Sequence, residues 1–164
     1  GTTSMCLIPQ VCAAVDLPVI AAGGIADGRG MAAALALGAD AVQIGTRFAV
    51  TQESSAHANY KAAVCKAGDR DTLMAFRPIG PVRLVRNPLA ERAREAERNG
   101  ASKDDLRSLL GKGRGRAGIF LGDLEEGEVE AGQISGLIDD LPRAGALVHR
   151  LVRDYRAARS NLPS

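Results

Sequence analysis

Hydrophobic and polar positions along the chain fall into distinct rhythms. Residues 18–22 and 41–44 are short runs that are apolar at nearly every position. That is how strands of a parallel sheet read when helices cover both faces. Between them Met31, Ala34, Leu35 and Leu37 recur near helical spacing, Asp27 fits the N-cap, and Gly38 fits the stop. Strand, helix and strand in this order make a βαβ unit. An earlier helix is expected over 8–15, closed by Asp16 and Pro18, and another over 57–67, ending at Gly68. Two more are expected near the end, over 131–138 and 142–158. In the second, Pro142 suits a first turn, and Leu147, Val148, Leu151 and Tyr155 are expected on one face.

Charge sets one stretch apart. Residues 77–116 hold eleven basic and five acidic side chains, a local balance of +6 in a chain whose net charge is +2. Its charges interleave at Glu91, Arg92, Arg94, Glu95, Glu97 and Arg98, which predicts a solvated helix in a largely helical insertion, the alternative being an anion-binding patch. The run Gly111-Lys112-Gly113-Arg114-Gly115-Arg116 lacks the spacing of a phosphate loop and no strand precedes it, so a mobile basic loop is expected. The organisation expected is 1–75 as α/β units, 76–120 as the basic helical insertion, and 121–164 as closing helices.

Composition narrows the class of function. With 164 residues, 46% hydrophobic and 24% charged, the chain has the makeup of a globular domain rather than a disordered or fibrous one. No run of about 18 apolar residues and no charged-then-apolar opening suggests a membrane span or a signal peptide, so a cytoplasmic protein is expected. Aromatic content of 3% without Trp, at near-neutral charge, argues against nucleic acid as a partner. Cys6, Cys12 and Cys65, an odd number without paired spacing, argue for reduced thiols and against a metal site. The chain opens Gly1-Thr2-Thr3 without an initiator Met, which suggests a piece of a longer protein.

The chemistry is carried by two glycine turns at the ends of the predicted strands. In the first, Gly23 and Gly24 follow the strand and a helix follows them. Glycines there admit positive φ and let backbone N–H groups approach a ligand, while the helix N-terminus favours an anion. Asp27 is read as a cap, since a carboxylate beside a phosphate is unfavourable. The second turn, Gln43, Ile44, Gly45 and Thr46, repeats the arrangement, with a hydroxyl on Thr46 and a short helix starting there. The alternative is purely structural: a tight turn at Gly23 and Gly24, and close helix packing at Gly45. Two such turns in adjacent units match the phosphate site of (β/α)8 barrels.

These residues carry a resemblance. The segment 18–48, PVIAAGGIADGRGMAAALALGADAVQIGTRF, resembles the FMN-binding part of the nitronate monooxygenases, once called 2-nitropropane dioxygenases, and of the related FMN-dependent enoyl-ACP reductase II enzymes. Residues 53–61 and 131–138 extend the likeness. It implies the C-terminal part of a TIM-type (β/α)8 barrel holding FMN, with the phosphate on Gly23, Gly24, Gln43, Ile44, Gly45 and Thr46, and Gln133 near the flavin. Arg47 is expected to be structural. The implied reaction is oxidation of an alkyl nitronate by O2 to a carbonyl compound and nitrite. The reductase alternative passes hydride from NAD(P)H to an enoyl-thioester. A homodimer is left open.

Members carry a Gly-Gly-His-x-Gly motif just ahead of this segment, and its His is the active-site histidine. Gly1 fits the last residue of that motif, so the catalytic residue is expected upstream of Gly1. His57 and His149 follow the glycine motifs and lie in predicted helices, where a structural histidine is expected. A (β/α)8 barrel takes about 250 residues, so the chain by itself is expected to be an inactive fragment. Two non-enzymatic alternatives are a phosphate-binding half-barrel module and a basic interaction domain around 77–116.

Overall fold

The computed structural model describes residues 2–161; Gly1, assigned above to the edge of the histidine motif, lies outside the described residues. The chain is α/β and forms two compact units, one from 1–53 with 142–164 and one from 54–141.

The first unit holds the βαβ element. Helix α1 (Ser4–Ala14) starts four residues earlier than its apolar repeat suggests. Thr3 is extended, and its carbonyl accepts from the N–H groups of Cys6 and Leu7 at 3.0 and 2.9 Å, which closes a first turn whose side chains are exposed. Strand β1 (Ile20–Ala22) runs parallel to β2 (Ala41–Gln43), with Ala22 opposite Gln43. Asp40 fixes that register: its carboxylate accepts from Val19 N–H at 2.8 Å and its own N–H donates to Val19 O at 2.8 Å. Helix α2 (Gly28–Ala36) is capped as expected, the Asp27 carboxylate accepting from Gly30 N–H at 2.9 Å, and Gly38 ends it at φ +102°. Ile8, Ala21, Ile25, Ala34 and Ala39 form the core.

The strand pattern called for burial on both faces. Among the described residues only one face is covered: Ala21 is 4% exposed and its neighbour Ile20 is 63% exposed. Met5, Leu7, Val11, Val15 and Leu17 are also exposed.

After the one-turn helix α3 (Thr46–Ala49), the unit is completed by its most distant segment. There α8 (Ala144–Ser160) packs along α2 and buries Leu147 and Leu151. Val148, expected on the same stripe, stands 47% exposed, because it lies about 100° around the helix from Leu147. Glu53 holds the start of α8, accepting from Ala144 N–H at 2.8 Å and pairing with Arg143.

The second unit is built on an antiparallel hairpin that the hydrophobic pattern did not announce. Strand β3 (Thr72–Ala75) pairs with β4 (Val82–Val85), and the far edge of β4 is taken up by 129–131. Val85 N–H donates to Val129 O at 2.8 Å, Ala131 N–H donates to Arg83 O at 3.2 Å, and Leu84 bridges Glu130. Around it run α4 (Ala58–Lys66), α5 (Pro88–Arg98), α6 (Lys103–Leu110), α7 (Arg114–Phe120) and a 3-10 turn, Gln133–Leu137. Asn87 caps α5 through Ala90 N–H with Pro88 in its first turn, and the buried face of Leu89, Ala90 and Ala93 meets Leu73, Phe76, Leu84 and Leu106. Ser102 and Asp105 form a reciprocal capping box at α6. The stretch 111–116, expected as a loop, turns at Gly111 and Gly113 and then enters α7.

Tyr60 ties α4 to this sheet, its hydroxyl donating to Glu130 O at 2.7 Å. Burial, and then the Glu130 charge, push the Tyr60 hydroxyl up to about 12. An unfolded Tyr ionises near 10, so the folded state binds this proton more tightly. Stability from the neutral phenol is complete below about pH 10 and is lost as pH rises through about 12, amounting to about 3 kcal/mol. Denaturant unfolding at about pH 9 and about pH 12 is expected to show this loss in the parent and not in Tyr60→Phe. Equal losses in the two proteins would remove Tyr60 as the cause.

Candidate functional site

The parallel register decides where the two glycine turns lie. Ala22 and Gln43 are partners at the last rung of the β1–β2 ladder, so Gly23 and Ile44 leave the sheet from the same end. Adjacent strands are separated by about 4.8 Å, so the turns are neighbours. Gly23 and Gly24 take φ +90° and +78°, conformations in which an L side chain is strained. A Cβ at Gly23 would meet no atom within 4 Å, and one at Gly24 only the Ser4 hydroxyl at 3.9 Å. No turn or side-chain hydrogen bond engages either glycine N–H among the described residues. The turn is anchored from below by buried Ile25 and Ala26 and leads into the N-terminus of α2.

Gly45 behaves differently. Its φ of −96° is open to any residue, so the conformational reason for a glycine fails here. What it gives is space, since a Cβ there would meet nothing within 4 Å. Its carbonyl accepts from Phe48 and Ala49 N–H at 2.9 and 3.0 Å, which winds α3 directly off the turn with Thr46 as its first residue. Gln43 is exposed, Ile44 and Thr46 are half-buried, and Arg47 is buried in the α3 turn, in keeping with a structural role.

Electrostatics keep Asp27 a cap. Burial pushes its carboxyl up, but the Gly30 N–H and the Arg29 guanidinium outweigh that and hold it below the usual carboxylate range. With Arg29 2.7 Å away, its charge is satisfied locally rather than presented to the turn.

Gln133 belongs to the other unit. It is the exposed first residue of the 3-10 turn, which is anchored by buried Ile134 and by Ser135, whose hydroxyl donates to Gly132 O at 2.8 Å. His57 is a helix cap: its Nδ1 accepts from Asn59 N–H at 3.1 Å and its N–H donates to Ile119 O at 2.8 Å. His149 is exposed on α8. Ser4, beside Gly24, is the residue the sequence did not flag. Its approach comes from the fold of α1 over the sheet, and no local pattern marks it.

The geometry has room for a phosphate group: two adjacent turns, open space over Gly23, Gly24 and Gly45, and a helix start behind the first turn. No helix among the described residues is long and apolar enough to cross a membrane.

Comparison with known proteins gives a consistent picture. The nitronate monooxygenase family model matches residues 1–154. A (3aS,4S,5R,7aS)-5-hydroxy-7a-methyl-1-oxo-octahydro-1H-indene-4-carboxyl-CoA dehydrogenase from Rhodococcus jostii is 34% identical, over 90% of this chain and 52% of that protein. The structure of FabK from Thermotoga maritima superposes with a TM-score of 0.91 at 40% identity, covering 98% of this chain and 51% of that one. Nitroalkane oxidase from Streptomyces ansochromogenes superposes at 0.79 with 36% identity, covering 99% and 46%. The chain thus spans about half the length of the proteins it matches.

Proposed function

Because the chain belongs to the nitronate monooxygenase family, an oxidoreductase family, we propose that it forms the FMN-phosphate half of a (β/α)8-barrel nitronate monooxygenase. The substrate is an alkyl nitronate, oxidised with O2 to a carbonyl compound and nitrite. The observation that carries this reading is the side-by-side exit of the two glycine turns from β1 and β2. Gly23 and Gly24 hold phosphate oxygens through their N–H groups, with α2 adding the partial positive charge of its N-terminus, worth about 0.3–1 kcal/mol. Gly45 and Thr46 close the second side, and Gln133 is assigned to the flavin on the likeness to the family alone. Bound FMN supplies the electron acceptor that none of these side chains can be. Their own work is to bind and orient it.

The dehydrogenase and FabK relatives favour a second reading, an enoyl-thioester reductase using NAD(P)H through the same phosphate grip. One titration separates the two. Flavin absorbance of the full-length protein is expected to bleach on adding propionate-3-nitronate without air, and to bleach only slowly with NADH or NADPH. Rapid bleaching by a nicotinamide, with turnover of crotonyl-thioester and no response to the nitronate, overturns the monooxygenase. A full-length protein that binds no flavin overturns both.

A further inference from the structure

The basic segment carries a feature that the flavin reading does not use. Most of its arginines around the start of α5 are neutralised: Arg86 pairs with Glu91, Arg92 with Glu126 at 2.7 Å, and Arg114 with Glu126 at 2.8 Å. Arg77, Arg94 and Arg98 are not. None of the three guanidinium groups has a carboxylate partner among the described residues, and together with Met74 and Glu97 they line one open hollow of about 370 Å³. Arg94 and Arg98 are four residues apart on α5, so they share a face, and Glu97 lies beside them.

Arg77 is brought to that face by a strained turn. Phe76, which follows β3, has φ +57°, the only non-glycine positive φ among the described residues, and it is fully buried. Its carbonyl accepts from Ile79 and Gly80 N–H at 3.1 and 2.9 Å, which closes the turn. Such a conformation costs about 1–2 kcal/mol in an L residue, and conformations of this kind cluster at functional sites. Here the ring stays in the core with Leu73 and Leu84 while the next residue is turned out to the surface. The Glu97 carboxylate secures the turn by accepting from Arg77 N–H at 3.0 Å. Three guanidinium groups against one carboxylate leave the hollow two charges positive, which matches a phosphate dianion. Guanidinium forks suit phosphate oxygens, and the volume lies within the range of small-molecule pockets.

We propose that the hollow between the β3–β4 turn and α5 binds a phosphate-bearing small molecule through Arg77, Arg94 and Arg98. This site is independent of the glycine turns and does not rest on the flavin reading. Its test is calorimetric titration of the flavin-loaded full-length protein with inorganic pyrophosphate and, separately, with adenosine 3′,5′-bisphosphate. Saturable binding is expected for both. It should weaken at least about tenfold in Arg94→Gln/Arg98→Gln, be unchanged in Lys112→Gln, and fall as salt is raised. Arg98 is exposed and Arg94 half-buried, and neither guanidinium has a carboxylate partner among the described residues, so the double variant is expected to keep its thermal midpoint and flavin content. Equal affinity in the double variant and the parent, no saturable binding by either probe, or binding of an acidic peptide but neither phosphate compound would each overturn the proposal.

Discussion

Gly28→Ala is expected to lower stability by about 3 kcal/mol or more. A Cβ built on Gly28 falls 2.1 Å from Tyr155 N and 2.4 Å from Asp154 C, both backbone atoms of α8. A flexible side chain could step aside from one methyl group, but a helix backbone cannot, so α8 must shift as a body. Overpacking of this kind costs about 1–3 kcal/mol where side chains give way, and more where backbone must. The displaced helix carries Leu147 and Leu151 out of the core with it. Thermal unfolding of the full-length protein is expected to show a midpoint lower by several degrees. A midpoint within a degree of the parent would mean that α2 and α8 are not held this closely in solution. Gly145→Ala is the control: it lies in the first turn of α8, its Cβ meets nothing within 4 Å, and it should cost nothing.

The second large effect falls on flavin. Gly24→Val, or Gly23→Val, should reduce FMN affinity about a hundredfold, which is about 3 kcal/mol. Two contributions add. A β-branched residue at φ +78° or +90° is strained by about 1–2 kcal/mol, which tilts the turn away from its present shape. The new methyl groups also stand in space that is now empty above the glycine N–H. Because both positions are exposed and no neighbour has to move, the fold should survive the change. The measurement is flavin content of the purified protein together with FMN fluorescence quenching. Parent-like affinity in both valine variants would sink the assignment of this cradle to the phosphate.

The part of the molecule legible in the sequence is the part whose local signals agree. The uniform apolar runs at 18–22 and 41–44, the Asp27 cap and the glycine pair all point to one βαβ unit, and the structure has it. The hairpin was harder to read. Thr72–Ala75 does alternate, with Leu73 and Ala75 buried, but it is only four residues long, and β4 carries Arg83 in its middle. Helix α6 announces itself through Ser102 and Asp105, a capping-box spacing easily lost inside a charge run. Helix α7 goes against its composition. Gly115 lies in the stretch expected as a loop, and a Cβ at Gly118 would lie 2.4 Å from Glu128 O, so glycine is there for a close approach and not for flexibility. At the candidate site the glycines were legible because they are contiguous with their strands. Ser4, and the approach of Arg77 to Arg94 and Arg98, were not, because chain segments far apart in sequence create them.

The first unit is closed by a helix from the far end of the chain, with the whole of 54–141 between its two pieces. In polymer terms the intervening unit is a loop whose two ends are pinned by the α2–α8 contact and by Glu53 at the start of α8. Closure entropy rises only with the logarithm of loop length, about 0.6 kcal/mol for each doubling. Residues can therefore be gained or lost within 54–141 at almost no thermodynamic penalty to the strands and turns of the first unit. The burden is kinetic instead: α8 must find α2 across most of the chain, so this contact has high contact order and should form late in folding.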